Sequence, residues 1–73
     1  MITIEDLIKG GLFKCVGDGC YMKKGELCEF SKNTGTDREE FPYRMKVLNG
    51  NNSGFTTCWK WCDNLEYKLE KVE

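Results

Sequence analysis

Two cysteine pairs, Cys15 with Cys20 and Cys58 with Cys62, are the residues whose type and spacing most readily suggest chemistry. Four thiolates in two close pairs can hold a structural zinc ion, which takes four soft ligands in a tetrahedron. A 73-residue chain has use for such a staple, because a core of that size leaves only about 3–5 kcal/mol of net stability. Neither pair, however, carries a glycine directly after its second cysteine, as compact zinc knuckles do. In an extended segment, residues four apart lie roughly 13 Å apart, which separates Cys58 from Cys62. A disulfide needs Cα atoms within about 7 Å. The total of five cysteines is odd, and residues 1–6 lack the charged-then-apolar pattern of an export leader, so a disulfide framework is not expected. The reading preferred here is of thiols that are buried or half exposed, with no metal and no cofactor; a zinc-stapled domain is the alternative. Cys15 and Cys28 then act as small buried hydrophobes.

The sequence contains no histidine, so the usual acid–base group at neutral pH is missing. No phosphate-cradling loop or dinucleotide fingerprint is present, and the carboxylates fall in surface patterns. An enzyme is not expected. A net charge of −1 and a pI near 5.5 remove the broad basic surface of a typical nucleic-acid domain. Lys14, Lys23, Lys24, Arg44, Lys46 and Lys60 could still gather beside Tyr21 or Trp61 and hold a single strand by charge and stacking. That nucleic-acid-binding barrel is a second alternative, set against a merely solvated polar face. The apolar runs fall short of the roughly 18 residues of a membrane helix, and a cytoplasmic protein is expected.

Aromatic side chains are the remaining resource. Phe55, Thr57, Trp59 and Trp61 alternate with Thr56, Cys58, Lys60 and Cys62, which puts the tryptophans and the thiols on opposite faces of a strand. Three large rings do not all fit inside so small a domain. Phe55 and Trp59 are expected in the core and Trp61 at the surface, with Tyr21 and Tyr43 beside it. Tryptophan, tyrosine and arginine dominate binding hot spots, so the candidate partner-binding set is Trp61, Tyr43, Tyr21, Arg38 and Arg44.

The elements that must position these residues are short. Thr3 can cap a helix over about residues 3–9, with Ile4, Leu7 and Ile8 on one face and Gly10 and Gly11 ending it. Strands are expected at residues 12–16, 26–30, 41–48 and 55–61, joined by turns at 17–19, 23–25 and 49–54. Residues 31–40 are polar and read as a mobile loop. Residues 65–72 fit either helical or strand spacing, and a turn over 63–65 followed by a last strand is preferred. The whole is a mainly β single domain over residues 1–73: a short helix and about five strands in a small, bent antiparallel barrel.

Leu12-Phe13-Lys14-Cys15-Val16, a turn, and Lys24-Gly25-Glu26-Leu27-Cys28-Glu29-Phe30 resemble the opening strands of small SH3-like barrel proteins encoded by bacteriophages. Phe41-Pro42-Tyr43-Arg44-Met45-Lys46-Val47, the Asn/Gly turn and Leu69-Glu70-Lys71-Val72 resemble their later parts, so the likeness spans residues 12–72. Cys28 stands where those proteins usually have tyrosine, and the first helix and the 31–40 loop are additions. The resemblance implies an SH3-like barrel, a viral origin, and a non-catalytic binding module. Such a module would act on a host protein, in the host cytoplasm.

Overall fold

The computed structural model describes residues 1–19, 21–62 and 64–72. Cys20, one of the four candidate zinc thiols, and Asp63, in the expected last turn, lie outside the described residues. The first element is helix α1 (Ile4–Lys9). The Asp6 carboxylate accepts bonds from the Thr3 N–H at 2.8 Å and the Thr3 hydroxyl at 3.3 Å. Chiefly through that N–H, its pKa is held below the usual carboxylate value. Ile2 and Leu7 flank the helix start as a hydrophobic staple would, and both enter the core. Six residues are too few to hold a helix in water; α1 rests on the sheet. It ends at Gly10, whose φ of +94° suits glycine, and where a β-carbon would stand 2.8 Å from the Phe30 carbonyl oxygen.

Five strands follow: β1 (Gly11–Cys15), β2 (Leu27–Lys32), β3 (Tyr43–Val47), β4 (Thr56–Trp59) and β5 (Leu69–Lys71). They form one antiparallel sheet in the order β4-β3-β2-β1-β5. The period-two pattern sends Phe13, Cys15, Cys28, Phe30, Tyr43, Met45, Val47 and Leu69 inward, where they meet Leu7 and Leu65. α1 lies across β2 and β3 on this inner side. Phe13 and Phe30 meet edge to face, with ring centroids 5.2 Å apart. Among the described residues no ladder joins β4 to β5, so the sheet keeps two edges and does not close into the expected barrel. β5 has three residues and β4 four, and the chain between them winds through a 3-10 turn at Leu65–Tyr67.

Two connections differ from expectation. The 33–42 segment is tied down rather than loose. Asn33 is buried; its amide N–H groups bond the Phe41 carbonyl at 2.7 Å and Asp37 at 3.0 Å, and its oxygen accepts the Gly35 N–H at 2.9 Å. This one amide adds to the segment's own backbone bonds, Arg38 N–H to Gly35 and Glu40 and Phe41 N–H to Asp37. The β3–β4 hairpin, in turn, contains a bulge. Gly54 N–H and Phe55 C=O both bond Val47, two residues against one, with Gly54 at φ +91°.

Candidate functional site

The site begins at the tip of the β1–β2 connection. Gly19 and Met22 exchange backbone bonds of 3.0 and 2.9 Å, which closes a tight turn. Within it Tyr21 adopts φ +69°. A positive φ costs an L-residue other than glycine about 1–2 kcal/mol. The turn throws the Tyr21 ring across the inner side of β4, where it meets Trp59 edge to face at 5.0 Å and Phe55 at 5.7 Å. The Phe41 ring also stacks on Trp59, at 5.6 Å and 15°. Asn33 holds the Phe41 carbonyl, and so fixes that end of the row. Four rings therefore run Phe55–Tyr21–Trp59–Phe41 along one edge of the sheet.

The row stays open to solvent because β4 is an edge strand. Its inner side points the same way as Tyr43 and Met45, which pair with Trp59 and Thr57, while α1 lies mainly over β2 and β3. Tyr21 remains 51% exposed and Phe55 41%. Beside them Tyr21, Met22, Lys23, Asn52 and Phe55 line a cleft of about 240 Å³. A pocket of mostly apolar lining with a cation and an amide at its rim suits an apolar side chain.

The five candidate residues do not assemble. Tyr21 lies at the centre of the aromatic row. Tyr43 does not present a surface: it is 2% exposed, its ring packs 5.5 Å from Phe30, and its hydroxyl donates to the Lys60 carbonyl at 2.8 Å. Trp61 is half buried and packs against the core, just past the end of β4 at Trp59. Arg38 sits on the loop that ends in Phe41, its guanidinium donating to the Gly35 carbonyl at 3.1 Å. Arg44 lies on the outer face of the sheet, opposite Cys58. Of the two rings expected inside, Phe55 is exposed, whereas Trp59 is half buried and packs against the core as Trp61 does. The excess of rings along residues 55–61 was the available signal; which ring would stay outside depended on where the strand ended.

The thiols divide as well. Cys58 lies on the outer face and Trp59 on the inner one, as alternation requires. Cys62 departs from it, since past the strand end its sulfur accepts the Trp59 indole N–H at 3.2 Å. Cys15 is buried on the inner face, donating to the Gly17 carbonyl at 2.9 Å. Cys15 and Cys58 thus occupy opposite faces, and among the described residues no three cysteine or acidic groups converge as metal ligands. Burial pushes the pKa of Cys15 up and that of Cys28 up to about 12.

Among the described residues no helix is long and apolar enough to cross a membrane. No protein-family model matches the chain, and comparison with curated proteins and with solved structures returns no significant match.

Proposed function

We propose that this chain is a non-catalytic protein-binding module that engages its partner through the row Phe55–Tyr21–Trp59–Phe41. The observation that carries the reading is Tyr21: a half-exposed ring on a backbone conformation that glycine would adopt without strain. Its packing against Phe55 and Trp59 only partly covers it, and aromatic rings of this kind anchor interfaces. The strand order, with the fifth strand returning beside the first, supports an SH3-like architecture whose closure is incomplete. With the resemblance of residues 12–72, it supports a phage accessory protein acting on a host protein. A nucleic-acid role is less well supported. Lys23 adjoins Tyr21, but Arg44 and Lys46 lie on the other face, so the cations do not gather beside the rings.

Tyr21→Gly tests the proposal. Ring contacts worth about 0.5–1.5 kcal/mol each are lost, and backbone strain of about 1–2 kcal/mol is relieved, so the melting temperature should move little. Immobilised wild-type chain should retain a specific host protein that the variant releases. Equal retention by both proteins would refute the assignment of the site. Tight binding of a single-stranded oligonucleotide that weakens steeply with salt would refute the assignment to a protein partner.

A further inference from the structure

We propose that β4 is a docking edge to which an extended partner segment adds as a sixth strand. The segment has the alternating pattern apolar–acidic–apolar–acidic–apolar. This inference rests on the reading of the aromatic row as a protein-binding site and names the partner's form.

The first observation is the backbone. Val47 N–H bonds Phe55 C=O just before the strand, so within β4 the residues whose backbone groups face β3 are Thr57 and Trp59. Thr56 and Cys58 therefore aim their N–H groups away from the sheet, and among the described residues those two donors have no backbone partner. Natural edges are usually guarded by lysine, proline or a very short strand. β5 is guarded, with three residues that include Glu70 and Lys71. β4 reads Thr-Thr-Cys-Trp, with neither charge nor proline.

The second observation is that hollows of opposite character flank this edge. On the inner side is the aromatic cleft of about 240 Å³ described above. On the outer side Glu29, Ser31, Arg44, Lys46 and Thr56 line a hollow of about 220 Å³. Neither Arg44 nor Lys46 forms an ion pair among the described residues. Glu29 faces Lys46 across β2 and β3 and leaves the hollow with one net positive charge. An added strand would lie about 4.8 Å beyond β4. Its residues opposite Thr56 and Cys58 would point outward, over two short side chains, within reach of Lys46 and Arg44; carboxylates fit there. Its residue opposite Thr57 would point inward against the Tyr21 ring, which lies between Phe55 and Trp59; an apolar side chain fits there. The two faces of the edge thus specify an alternating segment, and the open N–H groups supply its hydrogen bonds.

Titration calorimetry of the full chain with a capped peptide carrying Val-Glu-Val-Glu-Val is the test. Saturable binding is expected, weakened about tenfold in the Val-Lys-Val-Lys-Val version. Methylation of the central backbone nitrogens should weaken it by about three- to tenfold for each hydrogen bond removed. Cys58→Pro deletes an outward N–H and spares the β3 ladder; folded by circular dichroism, it should lose affinity to the same degree. Equal affinity for the methylated peptide, or no preference between the acidic and basic versions, would overturn the inference. A chain found as a dimer by native mass measurement, which the peptide fails to dissociate, would overturn it too, since the edge would then belong to a second copy. Failure of every peptide, with Tyr21→Gly still releasing the host protein, would overturn strand addition and leave the protein-binding reading standing.

Discussion

Single side chains in this domain divide sharply between holding the fold and facing outward. Tyr43 holds the fold. Its hydroxyl bond to Lys60 anchors the chain just past β4, so Tyr43→Phe should lower stability by about 0.5–1.5 kcal/mol in urea unfolding. It should leave partner binding nearly unchanged, whereas the sequence pattern alone placed Tyr43 in the site. The buried thiols make a second prediction. A free cysteine titrates near pH 8.5, while burial, with smaller contributions from Cys15 and Glu26, raises Cys28 to about 12. The folded state therefore keeps this thiol protonated where the unfolded chain loses the proton. Its stabilising contribution is complete below about pH 8.5 and is lost as pH rises toward about 12. The urea midpoint should fall through that alkaline window, and Cys28→Ala should flatten the slope. At pH 8, iodoacetamide should modify Cys58 and Cys62 before Cys15 and Cys28, since only the first pair is partly exposed. Peptide mapping after short exposure would check the order.

At the level of elements, what positions the aromatic row is a loop amide and a turn. Asn33→Ala removes three bonds around residues 33–41 and leaves the Phe41 carbonyl and Gly35 N–H without their partner. A loss of about 1–3 kcal/mol is expected, measurable by thermal unfolding. Fluorescence of Trp59 should change with it, because Phe41 would no longer be held against the indole. The regular elements were legible in the sequence for a physical reason. Alternation at Tyr43, Met45 and Val47 and the triplet Ile4, Leu7, Ile8 both follow from burial of one face, which leaves a period. The Asn33 network leaves none, since it depends on bonds up to eight residues away that polar composition does not announce. The end of β4 was equally hidden. Alternation continues through Trp61 and Cys62, but the strand stops at Trp59. Past that end Trp61 nevertheless packs on the core, as Trp59 does, while Phe55 stays exposed.

For the molecule as a whole, the dominant fact is a sheet whose first and last strands are neighbours. A radius of gyration of 11.0 Å matches the roughly 11 Å expected of a folded chain this long. Much of that closeness comes from pairings distant in sequence, Phe13 with Lys71 and Cys15 with Leu69 among them. Removing residues 69–73 would expose the far side of β1 and delete Leu69 from the core. The truncated chain should show no cooperative melt by circular dichroism. Such distant pairings also fold slowly, since a long loop must close before they form. On the ribosome this has a direct meaning. β5 is made after the other four strands, so the side of β1 that it covers stays open while they form, and the sheet is completed only once β5 emerges.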